Sequence, residues 1–212
     1  IEPMPGVAVA LALMKGWLGA DAGELADLLR AECRGPFEVP PADEARGILA
    51  GLGARFEKDP LAVAVVTSSI RYEADIVLDE VFSIVRRQIA DWPVKREIAE
   101  RFSSPGAYYD AFITASDSSE IRLKPHRDLY SIALHAMGIP PEKFGEVAGF
   151  EDSESGTIAI RAAGIGLCVA VPFADTAGHD LSAASRILPG GLPQAILEQR
   201  MFLNGMGTSA GA

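Results

Sequence analysis

The chain has 212 residues, of which 49% are hydrophobic and 23% charged, and a formal net charge of −10. That is globular composition, long enough for one substantial core or for a core and a small second domain. Such an acidic chain, with no run of Lys and Arg, excludes a phosphate-backbone reader, so no nucleic-acid partner is expected.

The apolar stretch GVAVALALM (Gly6 to Met14) follows Glu2 rather than a basic segment and is too short to span a bilayer. It predicts a packed helix, with no membrane partner. Residues 4–33 predict two helices broken at GADAG, with Asp21 as an N-cap and Glu24 three residues on. RGPFEVPP (Arg34 to Pro41) is a breaker cluster and a hinge. From Ala42 the pattern alternates. ADEARGILAGLGARF has helical spacing, LAVAVVTSS is a β-branched strand, and Tyr72–Ala90 is a long apolar helix. DAFITASD is a second strand, and Arg127–Met137 a helix stopped by Gly138. FGEVAGF is a third strand, Ser155–Ala163 a helix, GIGLCVAV a fourth strand and SRIL a short fifth. The tail 205–212 predicts disorder.

Strands alternating with helices imply a parallel sheet flanked by helices, a Rossmann-like α/β fold. The strands are continuous apolar runs, as burial on both faces requires. Cys33 and Cys168 fit no metal-ligand spacing. Cys168, inside GLCVAV, reads as a buried thiol, which suits a cytoplasmic location. Trp17, Phe82, Trp92, Tyr108 and Tyr109 read as core or seam residues. His126, His135 and His179 have no clustered partners, and there is no Gly-x-Ser-x-Gly for nucleophilic serine chemistry.

In a parallel sheet the C-terminal ends of the strands share one edge, where ligands bind. The first strand ends in Thr67, Ser68 and Ser69, the second in Ser116, Asp117 and Ser118, and the third in Glu151, Asp152 and Ser153. Lys124, before Pro125, belongs to the same rim. Each piece also has a plain reading. Hydroxyls after a strand serve as turns and caps. Acids before a helix complement its dipole, with Ser153 as the cap. Asp117 fits a loop or cap better than a catalyst. The combination of hydroxyl, lysine and acid pair, in that order, is far more specific than any part.

With these residues the chain resembles the haloacid dehalogenase superfamily, in the branch of β-phosphoglucomutase and small phosphatases. VAVVTSS resembles the second motif, RLKPHRDLYSIALHAMGIPPEKF the third and AGFEDSESGTIAIRAAGIGLCVAV the fourth, over about Pro40 to Leu188. The resemblance implies a HAD-like core at 39–204, interrupted by an insert at about 70–108, with residues 1–38 as the C-terminal part of a helical cap. It implies Mg²⁺-dependent phosphoryl transfer from a phosphomonoester, by a phosphatase or sugar phosphomutase, through an aspartyl-phosphate. The substrate would be a small phosphorylated molecule such as a sugar phosphate. Asp152 and Glu151 would hold the metal. Lys124 and Thr67 would be catalytic and bind phosphate together with Ser68, and Ser69 would touch substrate.

The family's first motif, a strand followed by Asp-x-Asp that supplies the nucleophile, is absent from the sequence. That strand would sit at the sheet's centre. The expectation is a chain cut upstream of Ile1 and inactive alone. The alternative is a non-catalytic binding or regulatory relative on the same fold, with a partner surface on Tyr72–Ala90. Dehalogenation fits less well, because it needs no metal for the acid pair to hold. Substrate identity and oligomeric state stay open.

Overall fold

The computed structural model describes residues 2–94, 97–117, 120–173, 176 and 178–198. Ile1, Ser118 and the tail 205–212 lie outside the described residues. The first four helices are α1 (Val7–Met14), α2 (Ala26–Ala31), α3 (Ala42–Lys58) and α4 (Arg71–Ala90). They are followed by α5 (Ile98–Arg101), α6 (Pro105–Tyr108), α7 (Asp128–Ala136), α8 (Glu154–Ala162) and α9 (Gly191–Leu197). The strands are β1 (Ala64–Val66), β2 (Ala111–Ile113), β3 (Ala148–Glu151), β4 (Leu167–Ala170) and β5 (Arg186–Ile187). Gly19–Leu25 and Pro141–Glu146 are 3₁₀ turns.

Helix α3 shows why these segments fold as they do. Its start after extended Pro41 carries Asp43 and Glu44, and its last turn carries Arg55 and Lys58, so both ends match the helix dipole. Ala45, Ile48, Leu49, Leu52 and Phe56 recur at helical spacing and are buried. Gly53 lets the helix meet the 3₁₀ turn before it: a Cβ there would lie 1.9 Å from the Gly19 carbonyl oxygen.

The break between the first two helices falls earlier than the sequence suggests. Helix α1 stops at Gly16, which takes φ 69°, while Gly16 N–H donates to Leu13 O and Trp17 N–H to Ala12 O. This is a Schellman closure. GADAG is itself part of the 3₁₀ turn, so Asp21 lies within its first turn rather than at an N-cap. The third predicted strand is also shortened. Pro140 and Pro141 start a 3₁₀ turn that absorbs Phe144–Glu146, and only Ala148–Glu151 pairs.

All pairings are parallel, and helices flank them, as expected of an α/β chain. Among the described residues, however, the strands form two sheets rather than one, β1–β2 and β3–β4–β5. Helix α7 serves both. Its Leu129 and Ala133 pack with Ala111 and Ile113, and its Tyr130 and Leu134 pack with Ile160 and Cys168. Val66 of β1 touches both clusters. Against another part of the second sheet, Met4 and Leu192 pack with Val169, Val171 and Leu188. Strand β1 is only half-buried, although its residues are apolar, unlike the double burial its sequence predicts. Among the described residues no strand lies along its edge away from β2.

The largest cluster joins α1, α2, α3 and the second half of α4 to Trp92, Ile98, Phe102 and Tyr108. The Trp17 ring meets Phe102 edge-on at 5.1 Å, and Phe82 meets Tyr108 at 5.8 Å. The aromatic residues are thus core residues, as read from the sequence. The first half of α4 leaves Tyr72, Ile76 and Val77 exposed. Among the described residues no helix is long and apolar enough to cross a membrane.

Candidate functional site

Three turns carry the polar residues to one place. Strand β1 ends at Thr67, whose N–H continues the ladder by donating to Ile113 O at 2.9 Å. Its hydroxyl oxygen accepts the Ser69 N–H at 3.1 Å, a tight hydroxyl turn. Ser68 and Ser69 are exposed. The Ser69 carbonyl is taken by Ala115 N–H at 3.0 Å, which ties this turn to the end of β2.

Lys124 comes from the loop before α7. Its ammonium donates to Val66 O at 3.2 Å, pairs with Glu151, and lies 5.3 Å from the centre of the Tyr130 ring. Both members of the Lys124–Glu151 pair are nearly sequestered from solvent, at 11% and 8% side-chain exposure. The same Glu151 oxygen accepts the Tyr130 hydroxyl, and its other oxygen accepts Ser153 Oγ–H at 3.3 Å. Ser153 Oγ also accepts the Gly156 N–H at 3.2 Å, capping α8. Burial, and then the Glu151 charge, drive the Tyr130 phenol far above its ordinary pKa. It therefore stays a donor.

Asp152 is the second acid. Burial, and then the adjacent Glu151 charge, hold its carboxyl above the usual carboxylate range, with Lys124 and His179 pulling the other way. Thr67, Lys124, Glu151 and Asp152 line one cavity of about 350 Å³, whose remaining wall is apolar: Met4, Val66, Phe150, Val171 and Leu192. The cavity brings together four of the six residues read from the sequence. Ser68 and Ser69 are not part of its lining. Asp117 is elsewhere engaged. It accepts Thr114 N–H at 2.6 Å and Thr114 Oγ1–H at 2.7 Å, and it closes the turn after β2.

Both readings of the pair Glu151–Asp152 have structural content. Ser153 caps the helix, so neither acid is needed for that. Glu151 orients Lys124, and Asp152 lines the cavity without an ion pair of its own among the described residues. Among the described residues no three His, Cys, Asp or Glu side chains converge as a ready metal cage. Magnesium does not require one, because it is commonly bound by one or two carboxylates together with waters and phosphate oxygens. The donor set therefore fits this ion.

Sequence reasoning missed Tyr130 and His179. Tyr130 lies six residues after Lys124, on a helix face that reads as core. His179 Nδ1 accepts the Glu154 N–H at 3.4 Å, at the start of α8. Its position depends on a loop whose path the sequence does not declare.

The chain is 29% identical over 174 residues to Protein CbbY of Rhodobacter capsulatus, across 81% of this chain. It spans 65% of that protein's length. This likeness agrees with the haloacid dehalogenase resemblance carried by the second, third and fourth motifs. Two solved structures of CbbY from Rhodobacter sphaeroides also align. The complex with phosphate is 17% identical, with TM-score 0.38, over 84% of this chain and 74% of that one. A mutant in complex with xylulose-(1,5)-bisphosphate is 17% identical, with TM-score 0.37, over 84% and 76%. No family model matches the chain.

Proposed function

We propose that this chain forms most of a Mg²⁺-dependent site for phosphoryl transfer from a small phosphomonoester, with a sugar phosphate as the substrate class. The observation that carries the reading is the meeting of Thr67, Lys124 and Asp152, remote in sequence, around one cavity. The likeness to a CbbY protein supports it.

Phosphoryl transfer spreads negative charge over three oxygens, and catalysis is mainly positioning and charge neutralisation. Lys124 supplies a point charge whose direction is fixed by Glu151 and by the Tyr130 ring behind it. Thr67 supplies a hydroxyl, held by the Ser69 N–H, whose hydrogen has no acceptor among the described residues and can donate to a phosphate oxygen. Asp152 would hold Mg²⁺, with Glu151, whose oxygens serve Lys124, Tyr130 and Ser153, acting beside it through a bound water, and the bound ion would offset the charge of the phosphate. The apolar wall excludes water on one side and strengthens these interactions. The carboxylate that attacks phosphorus is not among the residues lining the cavity. In this reading it comes from an Asp-x-Asp segment outside the chain.

Binding of inorganic phosphate, followed by ³¹P NMR with and without Mg²⁺, tests the reading. Phosphate should bind more tightly when Mg²⁺ is present. Asp152→Asn should abolish the effect of Mg²⁺, and Thr67→Ala should weaken binding in both conditions. Phosphate binding that ignores both substitutions would refute it.

A further inference from the structure

The two halves of helix α4 have different surroundings. From Phe82 onward it is a core helix, with Phe82, Val85 and Ile89 buried in the largest cluster. Before Phe82 only Ala74 is buried. Ile70, Tyr72, Ile76 and Val77 stand 48%, 72%, 52% and 44% exposed. Single exposed apolar residues need no explanation, but a contiguous apolar face marks a place of contact.

Helical spacing gives this face its shape. Tyr72 and Ile76 are one turn apart, so they form a ridge. At roughly 100° per residue the ridge points away from the core, on the side opposite to buried Ala74, Val85 and Ile89. The same spacing sets Asp75 and Asp79 along one side of it, and Glu73 and Glu80 along the other. All four acids are exposed. Glu80 reaches Arg87 at 3.6 Å. Glu73, Asp75 and Asp79 have no ion pair among the described residues. Arg71, the cation of this half, is committed elsewhere. Its guanidinium donates to Phe112 O at 2.9 Å and to Asp117 at 3.4 Å, and lies 4.0 Å from the centre of the Phe112 ring.

An apolar ridge between two acidic margins complements a basic amphipathic surface and repels the alternatives. A second copy docked through the same face would set carboxylates against carboxylates, on chains that each carry a net charge of −10. An anionic lipid surface would meet the same repulsion.

We propose that the first half of α4 is a docking face for a basic amphipathic helix of a protein partner. Apolar side chains of that helix, spaced by three and four residues, would pack beside Tyr72 and Ile76. Its Lys and Arg would reach Glu73, Asp75 and Asp79. Residues 71–80 span about 15 Å, so about three turns of partner helix cover the face. A contact this small is weak and transient, and its charged margins make it salt-dependent. None of these residues lines the cavity of Lys124 and Asp152, so the inference stands apart from the phosphoryl-transfer reading.

The test uses the whole chain and a labelled, capped helix of leucine and lysine, about four turns long, with its leucines on one face. One control peptide is the same composition scrambled, and the other is the same helix with glutamate for every lysine. Fluorescence anisotropy reads affinity, and amide hydrogen exchange reads place. The basic helix should bind at least tenfold more tightly than either control and slow exchange in α4 before Phe82. Tyr72→Ser with Ile76→Ser should weaken binding at least tenfold. So should Glu73→Gln, Asp75→Asn and Asp79→Asn together, which leave the ridge intact. Circular dichroism checks the fold of both variants, and if the first fails to fold the second decides. Equal binding of the scrambled peptide would overturn the proposal, because only opposite net charges would then be at work. So would equal binding of the glutamate helix, affinity that ignores both variants, or protection confined to other elements. Exchange in α4 that is slow without peptide and quickens on dilution would also overturn it, by showing that a second copy covers the face.

Discussion

Lys124 and Glu151 form an ion pair that is almost fully withdrawn from water, and Tyr130 donates to the same carboxylate oxygen from below. A buried pair gains little net stability, but removing one partner leaves a charge with nothing to offset it. Lys124→Met should therefore cost about 3–5 kcal/mol, read as a lower urea midpoint. Lys124→Met combined with Glu151→Gln, which removes the charge and keeps an acceptor for the Tyr130 hydroxyl, should recover most of that loss. A single variant as stable as the parent would show that water reaches the pair.

Asp152 makes stability depend on pH in an unusual direction. Burial and Glu151 raise its carboxyl above the ordinary range, so the folded chain binds that proton more tightly than the unfolded chain does. Its contribution is therefore most favourable below about pH 3.9, the unfolded value, is lost as pH rises through the folded value, and stays lost at neutral pH. Asp152→Asn should melt higher than the parent at pH 7 without divalent cations. The difference should shrink toward pH 3. Adding Mg²⁺ should raise the melting temperature of the parent and leave the variant unchanged. Melting curves across pH, with and without the ion, read all three.

Gly156→Ala sets two effects against each other. Alanine is the better helix former, but its Cβ would lie 2.1 Å from the Glu151 side-chain carbon. The collision wins, because Glu151 is pinned by Lys124, Tyr130 and Ser153 and has little room to yield. The expected loss is about 1–3 kcal/mol by denaturant unfolding. A gain in stability would mean that Glu151 is not held as described.

Ser153→Ala removes the cap of α8 and one donor to Glu151. About 1 kcal/mol of stability should go with it. Amide exchange should quicken in the first turn of α8 and leave α3 untouched.

The elements legible in the sequence are those with long periodic signals. Helices α3, α4, α7 and α8 fall within one or two residues of expectation, because each joins an apolar stripe to recognisable ends. The strands are harder to delimit, since a short apolar run states where a strand lies but not how many residues find a partner. The 3₁₀ turn at Gly19–Leu25 was hidden because its shape depends on close packing against Gly53, a contact across about thirty residues. That Thr67 and Asp152 would share a rim was legible because both follow apolar strands, whereas Lys124, in the loop before α7, stood out only through its order between them; that the three line one cavity is what the structure adds. Tyr130 was not legible, because a tyrosine on an apolar helix face looks like core until the carboxylate above it is known. Ser68 and Ser69 resemble Thr67 in sequence, and only the turn geometry separates them.

The bare margins of β1 and β3 have a colloidal consequence. Open strand borders template pairing between molecules, and here two of the charges beside them, Lys124 and Glu151, are spent on each other. What keeps copies apart is the overall excess of ten negative charges, a repulsion that acts over about 10 Å at 0.1 M salt and fades as salt rises. The chain's resistance to clumping should thus weaken with ionic strength, opposite to a protein held in solution by surface ion pairs that salt frees to hydrate.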